Sequence, residues 1–262
     1  MDLNLTGKFA IVCGSTQGLG YASAVELALL GANVTLIARD ERKLIDAVAS
    51  LDISKYQVHN YLIADFTAPQ QLSNVLDEYF IQERIVNILV NNTGGPKGGA
   101  ALTATTEEYI DAFMSHLICN QILVQKIVPY MKKSGYGRII NIISTSVKQP
   151  IPDLGVSNTI RGAVANWSKT LAGELGPFGI TVNNVLPGFT KTARYDYVIK
   201  NKTAKSNLSY EEEESKLVVD IPLRRIGTPA EFGSTVAFLC SPAAGYISGI
   251  NLPVDGGRLS TL

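Results

Sequence analysis

Cysteine and tryptophan are scarce in this chain of 262 residues, which contains three cysteines and one tryptophan. The cysteines at positions 13, 119 and 240 are odd in number and far apart in the sequence. This pattern argues against a disulfide framework and against a zinc cluster. We therefore predict no metal site.

An excess of charge of either sign is also missing, because Lys+Arg and Asp+Glu number 23 each. No bulk charge draws the chain to nucleic acid or to an acidic membrane surface. No apolar run approaches the length of a membrane span, and the first residues lack the basic and apolar segments of a signal peptide. We expect a cytoplasmic protein whose partners include neither nucleic acid nor a membrane.

Hydrophobic residues make up 46% of the chain and charged residues 18%, a composition typical of a globular protein. Short apolar runs alternate with stretches of helical spacing along most of the sequence. Such alternation predicts a parallel sheet with right-handed crossovers, so the expected fold class is α/β with a single doubly wound sheet. The predicted strands are Phe9–Cys13, Asn33–Ala38, Gln57–Ala64, Asn87–Val90, Arg138–Ile143, Thr181–Leu186 and Tyr246–Val254.

A glycine-rich loop joins the first predicted strand to the first predicted helix, and it contains Gly14, Gly18 and Gly20. Glycine allows a sharp turn and lets a ligand approach the backbone closely. The N–H groups and the positive end of the following helix then attract a phosphate. The spacing Gly-x-x-x-Gly-x-Gly differs from the Gly-x-Gly-x-x-Gly dinucleotide fingerprint, so a turn without a nucleotide is the alternative on this stretch alone.

Polar residues or glycine follow four predicted strands at their carboxyl ends, namely Gly14, Arg39, Asp65 and Asn91. In parallel sheets, ligands bind at this edge.

Arg39 follows its strand with no acid before it. An arginine there can pair with a ribose 2′-phosphate, whereas a carboxylate would bind the 2′-hydroxyl. We therefore predict NADP(H), with NAD(H) as the alternative and a solvated surface arginine as the non-functional interpretation.

Several segments, in this order and spacing, resemble the short-chain dehydrogenases/reductases, most closely the branch related to β-ketoacyl-acyl-carrier-protein reductases. The segments are Gly14–Gly20, Asp65, Asn91–Gly94, Gly137–Ser144, Pro187–Thr192 and Pro253–Gly257. The resemblance covers essentially the whole chain. It implies one NAD(P)-binding Rossmann domain over residues 1–262, a homotetramer or homodimer, and a variable substrate lid near residues 193–220, where the chain reads as polar and irregular.

The resemblance also implies how the cofactor is held. The glycine loop would bind the pyrophosphate, Asp65 the adenine amino group and Thr192 the nicotinamide carboxamide, with Asn91 beside the cofactor. Gln17 stands where NADP-using members often carry a basic residue, which reduces the support for NADP(H). The predicted cofactor-binding residues are Gly14, Ser15, Thr16, Gln17, Gly18, Leu19, Gly20, Arg39, Asp65, Phe66, Asn91, Thr93, Gly94, Arg161, Pro187, Gly188 and Thr192.

The catalytic pattern of the family is incomplete in this chain. Ser144 fits the family's serine, but the expected Tyr-x-x-x-Lys motif begins thirteen positions later at Ser157 and ends at Arg161. His116 occupies the position of the helix asparagine. Only the serine is therefore unchanged, and we predict Ser144, Ser157, Arg161 and His116 as the catalytic residues.

These replacements change the proton chemistry. A serine hydroxyl cannot replace a phenol as an acid near neutral pH without a partner base, and Arg161 stays cationic. Ser157 and Arg161 share a helix face, so Arg161 can reach the ribose hydroxyls or an anionic substrate. Lys148 can add positive charge beside it. His116 has a reference pKa near neutrality, so we expect this histidine or a water to supply the proton. A packed helix histidine is the alternative for His116, and Tyr195 is a further candidate donor.

The leading hypothesis is an NADP(H)-dependent oxidoreductase that acts on the carbonyl or alcohol group of a small molecule, and Arg161 is compatible with an anionic substrate. Because both the tyrosine and the lysine are replaced, the alternative is a catalytically inactive nucleotide-binding sensor or partner subunit. A third hypothesis keeps the fold but assigns a dehydratase or isomerase, since a fold alone does not determine function.

Overall fold

The computed structural model describes residues 1–82 and 85–261, with the backbone alone at position 205. The predicted domain span of 1–262 includes positions 83, 84 and 262, which lie outside the described residues. Within the described part of the chain, seven strands form one sheet. They are β1 (Phe9–Cys13), β2 (Asn33–Ala38), β3 (Asn60–Ile63), β4 (Ile88–Asn91), β5 (Gly137–Ile142), β6 (Ile180–Pro187) and β7 (Asn251–Val254).

The sheet has the strand order β3-β2-β1-β4-β5-β6-β7, and each neighbouring pair is parallel. β4 and β5 are buried at every position, as expected for strands that are covered by helices on both faces. The strand order reverses between β1 and β4, and such a switch point opens a crevice at the carboxyl ends of the strands. The predicted doubly wound parallel sheet is confirmed.

The helices of the described residues connect these strands and cover the sheet. None of them combines the length and apolar character that a membrane crossing requires. They are α1 (Gly18–Leu29), α2 (Glu41–Ala49), α3 (Pro69–Phe80), α4 (Thr106–Phe113), α5 (Cys119–Ser134), α6 (Gly155–Leu175), α7 (Ala193–Ser206), α8 (Tyr210–Val219) and α9 (Pro229–Cys240).

The core consists of two large apolar clusters, one on each face of the sheet, and β1 contributes to both. Ala10 and Val12 belong to the cluster that also contains Phe232 of α9. Ile11 and Cys13 belong to the cluster built from α3, α5 and α6. Successive side chains of a strand point to opposite faces, so an apolar residue at every position of β1 serves both clusters.

The helical run from α4 to α5 is interrupted in the structure. Between α4 and α5 the chain makes a π-helical turn, Met114–Ile118, which contains His116. A single π turn inserts an extra residue into a helix and is often found at functional sites. The apolar periodicity of the sequence does not reveal this insertion, because the residues on either side remain helical.

Residues 193–220, expected to be polar and irregular apart from a short helix beside Glu211–Glu214, are mostly helical, because α7 and α8 occupy most of the segment. Thr192 caps α7 by accepting a hydrogen bond from the backbone N–H of Tyr195 at 3.3 Å. Ser209 and Glu212 form a capping box at the start of α8. Tyr195, Ile199 and Leu217 pack between the two helices. Caps and a small apolar seam thus order a segment that is mostly polar, and its role as a lid stays a prediction.

Gly233 provides a test of how closely α9 packs on α1. A Cβ at this position would lie 2.5 Å from the carbonyl oxygen of Ala22, so we expect Gly233→Ala to lower the free energy of unfolding by about 1–3 kcal/mol through overpacking. At exposed Gly173 in α6 a Cβ meets nothing within 4 Å. We expect Gly173→Ala to raise the free energy of unfolding by up to about 1 kcal/mol, because alanine favours the helix.

Urea unfolding followed by circular dichroism measures both variants. Equal effects of the two substitutions would contradict the close packing of the two helices at Gly233.

Candidate active site

The switch point of the sheet leads into a cleft of about 1120 Å³. Ligand pockets are commonly about 300–1000 Å³, so the space is sufficient for a dinucleotide and part of a small substrate. The structure brings most of the predicted site residues to this cleft. Those that line it are Gly14, Thr16, Gln17, Gly18, Leu19, Arg39, Asp65, Phe66, Thr93, Gly94, His116, Ser144, Ser157, Arg161, Pro187, Gly188 and Thr192.

Three predicted residues, Ser15, Gly20 and Asn91, do not line the cleft. Asn91 is 1% exposed, and its Nδ2 donates a hydrogen bond to Oδ1 of Asn141 at 2.8 Å. The next residue, Asn92, lines the cleft instead. A shift by one residue moves a side chain to the other face of a strand, and the repeated asparagine in the sequence did not reveal which one faces the ligand.

The glycine loop is held tightly against the end of β4. Gly14 has a φ of +56°, and a Cβ there would lie 2.7 Å from Nδ2 of Asn92. That amide donates hydrogen bonds to the carbonyls of Cys13 at 3.2 Å and Gly14 at 3.1 Å. Ser15 is fully buried beside the loop, and its Oγ has no hydrogen-bond partner. A backbone cradle with no room for a side chain, at the start of α1, fits the pyrophosphate of a dinucleotide.

Cationic side chains gather at the end of the cleft formed by β2 and β3. Nη1 of Arg39 lies 4.0 Å from Oδ2 of Asp65, and the Arg39 side chain is 76% exposed. The backbone N–H of Thr67, with a smaller contribution from Arg39, holds the pKa of Asp65 below its usual value, so Asp65 is a carboxylate at neutral pH. Lys43 lines the same end. Lys43, which was not predicted from the sequence, lies in the first turn of α2 and forms an ion pair with Asp40.

Ser144 follows the last residues of β5 and lines the other end of the cleft. The backbone N–H of Ser146 donates a hydrogen bond to Oγ of Ser144 at 3.0 Å. This bond uses the hydroxyl as an acceptor and leaves its proton free to donate. Ser144 can therefore give a hydrogen bond to an oxygen of a bound molecule.

Arg161 is only 9% exposed, although it lines the cleft. Its Nη1 donates a hydrogen bond to the carbonyl of Ile142 at 3.0 Å, which fixes the side chain beside the end of β5. Burial lowers the pKa of Arg161 to about 10, so the guanidinium is charged at neutral pH. No carboxylate of the described residues forms an ion pair with it.

His116 is 2% exposed and lines the cleft from the π-helical turn. Its Nδ1 has no hydrogen-bond partner. Burial, with a further contribution from the charge of Arg161, lowers the pKa of His116 to about 2. The imidazole is therefore neutral at physiological pH, and the near-neutral pKa that motivated its prediction as a proton donor does not apply in the folded chain.

Tyr195 also lines the cleft, but its hydroxyl donates a hydrogen bond to Oε1 of Glu214 at 3.0 Å. Burial and then this hydrogen bond raise the pKa of Tyr195, so the phenol holds its proton firmly. Lys148 is not among the residues that line the cleft. The described part of the cleft therefore contains no free phenol to replace the family's catalytic tyrosine.

Comparison with known proteins agrees with this geometry. The family model described as "Enoyl-(Acyl carrier protein) reductase" matches residues 14–258. The NADPH-dependent reductase BacG of Bacillus subtilis is 26% identical to this chain, and the match covers 98% of the chain and 100% of BacG. The 3-oxoacyl-[acyl-carrier-protein] reductase FabG of Haemophilus influenzae is 31% identical over 97% of the chain and 98% of FabG.

The crystal structure of L-sorbose reductase from Gluconobacter frateurii, complexed with NADPH and L-sorbose, is similar over its full length. It covers 100% of both chains with 30% identity and a TM-score of 0.93. The fold and the cleft thus define a nucleotide-binding α/β oxidoreductase. The chain belongs to the short-chain dehydrogenase/reductase family, as its sequence segments predict.

Arg39 allows the predicted cofactor preference to be tested. We expect Arg39→Gln to weaken NADPH binding by about 10- to 100-fold, because a hydrogen bond to a charged group contributes about 1.5–3 kcal/mol. NADH binding should change little, since NADH has no 2′-phosphate. Arg42→Gln is the matched control, because Arg42 is exposed on α2 and does not line the cleft. Fluorescence titration gives both dissociation constants, and an equal loss for NADH and NADPH would contradict the assignment.

Because burial lowers the pKa of His116, we predict that the free energy of unfolding depends on pH. Its pKa is 6.5 when unfolded and about 2 when folded, so protons bind preferentially to the unfolded chain below pH 6.5. The contribution of neutral His116 is complete above that pH and is lost as the pH falls. By about pH 5 the loss reaches about 2 kcal/mol. We expect His116→Gln to flatten this decline in urea unfolding; an unchanged slope between about pH 6.5 and 5 would show that the imidazole is not buried as described.

Proposed function

We propose that the chain is an NADP(H)-dependent oxidoreductase that reduces a carbonyl group of a small molecule or oxidises the corresponding alcohol. The observation that carries this proposal is the single cleft that joins the glycine cradle and Arg39 at one end to Ser144 and Arg161 at the other. BacG is an NADPH-dependent reductase by name, and the sorbose reductase structure contains NADPH. Both support the prediction of NADP(H) made from Arg39.

When bound, NADPH supplies a hydride to the carbonyl carbon. The glycine loop holds the pyrophosphate, and Arg39 with Lys43 faces the 2′-phosphate. Thr192, whose Oγ1 caps α7, lies beside the glycine loop, where a Cβ at Gly18 would be 4.0 Å from its Cγ2, and it is assigned to the nicotinamide end of the cofactor by the family resemblance. The fact that these residues line one cleft supports the assignments.

Ser144 orients the substrate by donating a hydrogen bond from its free hydroxyl to the carbonyl oxygen. Ser157 adds a second hydroxyl in the cleft, one helical turn before Arg161. The positive charge of Arg161 stabilises the negative charge that develops when the carbonyl is reduced. Arg161 retains its own proton at neutral pH, and neutral His116 has no acidic proton of matched pKa, so a water molecule supplies the proton.

We also propose that the chain forms a homodimer or homotetramer in the cytoplasm. Ile110 and Phe113, on one face of α4, are 59% and 39% exposed. Apolar side chains three residues apart form a contiguous patch on a helix, and such patches often mark protein contacts. The alternative of an inactive sensor or partner subunit gains no support from the relatives reported above.

Turnover tests the proposed function. We expect the purified protein to bind NADPH and to oxidise it in the presence of at least one carbonyl compound from a panel of aldehydes, ketones and oxo acids. Ser144→Ala should lower kcat by about 10²- to 10³-fold, because it removes a hydrogen-bond donor to the developing oxyanion. Ser146→Ala is the matched control, since it keeps the backbone N–H that holds Ser144.

NADPH oxidation is followed by absorbance, and NADPH binding by fluorescence. A protein that binds neither NADPH nor NADH would overturn the proposed function, whereas equal activities of the two serine variants would contradict the role of Ser144.

A further inference from the structure

Arg161 carries a buried positive charge that nothing in the described chain neutralises. Nη1 of Arg161 donates a hydrogen bond to the backbone carbonyl of Ile142. This bond satisfies one donor of the guanidinium, but the neutral carbonyl does not compensate its charge. Arginine offers five N–H donors in a planar fork. The remaining donors lie in a side chain that is 91% buried, at the wall of the cleft. Burying a charge without a partner is costly, so this site fits a negatively charged ligand.

Four acidic residues of the described chain line the cleft. Asp111 is exposed on α4 and forms no ion pair with Arg161, and the other three have other partners. Asp65 is bonded to Thr67 and lies near Arg39. Asp40 caps α2 and pairs with Lys43. Glu108 completes the capping box of α4. None of these carboxylates forms an ion pair with Arg161, and burial lowers the pKa of its guanidinium.

His116 supplies an independent second observation. Its side chain is 98% buried, and Nδ1 has no hydrogen-bond partner although the residue lines the same cleft. Both residues line the same cleft, and the π-helical turn that contains His116 packs against α6, which contains Arg161. A neutral imidazole can carry its proton on Nδ1 and donate it to an oxygen. An unpaired buried donor beside a buried cation is the arrangement that a carboxylate satisfies.

We propose that Arg161 and His116 form a binding site for the carboxylate of an oxo-acid substrate. The guanidinium donates hydrogen bonds to the planar carboxylate, for which its geometry is well matched, and Nδ1 of His116 donates to the same group. This inference rests on the proposed function, because it names the substrate class of the same cleft. Arg161, which stands at the family's lysine position, then binds the substrate and not the ribose of the cofactor.

The substrate must be short. Arg161 is anchored to Ile142, and Ser144 lies two residues further along the same strand end. Two extended residues span at most about 7 Å, so we expect the carboxylate site and the hydroxyl that orients the carbonyl to lie near each other at the end of β5. A 2-oxo, 3-oxo or 4-oxo carboxylate can reach both, whereas a carbonyl compound without the acid group leaves the charge of Arg161 unpaired.

The test compares three oxo acids with their methyl esters, namely pyruvate, acetoacetate and levulinate. Each pair has the same carbonyl and differs in charge. Isothermal titration measures their binding to the protein with and without NADP⁺. We expect at least one acid to bind 10-fold or more tightly than its ester. Arg161→Gln should abolish this preference while changing the dissociation constant of NADPH by less than threefold.

Controls separate charge from folding. Lys148→Gln removes a cation that does not line the cleft and should leave the preference for the acid unchanged. Arg161→Lys keeps the charge and should keep the sign of the preference with a smaller ratio. The comparison of acids and esters on the unaltered protein is decisive even if Arg161→Gln does not fold.

Two results would overturn the proposal. The first is that all three acids bind no more tightly than their esters. The second is that Arg161→Gln weakens NADPH as strongly as the acids, which would identify Arg161 as a ribose ligand. In both cases NADPH binding and reduction of the esters would leave the proposed function standing, whereas failure of the proposed function shows itself as a lack of nucleotide binding.

Discussion

The contact between the glycine loop and the end of β4 determines the shape of the site. Asn92 hydrogen-bonds to two loop carbonyls and lies so close to Gly14 that a side chain there would collide with it. β1 and β4 are neighbours because the strand order reverses between them. Because these hydrogen bonds hold the glycine loop in place, the first turn of α1 points into the crevice. The other residues of the cleft are arranged around this loop.

The strands were readily predicted from the sequence because burial on both faces demands continuous apolar runs. Phe9–Cys13 and Asn33–Ala38 were predicted with the observed bounds. Gly14, Arg39, Asp65 and Asn91 were placed in the site because strand ends of a parallel sheet share one edge, and of these four only Asn91 does not line the cleft. Ser144 was placed there by the family resemblance. The fold and most of the cleft were therefore available from local patterns.

The features that the sequence did not reveal depend on tertiary structure. The π-helical turn around His116 leaves the helical periodicity nearly intact, and the choice between Asn91 and Asn92 depends on the strand's exact end. The helices of residues 193–220 form from caps and a small apolar seam in a polar segment. The pKa of His116 follows from its burial, which no reference value can supply.

The replacement of a lysine by Arg161 has a consequence for the whole reaction. A lysine can lose its proton when buried and can assist a neighbouring phenol, but an arginine keeps its charge. Since Ser157 is not a phenol, the charge of Arg161 has no acid to activate. A fixed charge of this kind can stabilise an anion, in the substrate or in the transition state, and it cannot relay a proton. We therefore infer that Ser157 and Arg161 serve to bind negative charge and do not transfer protons.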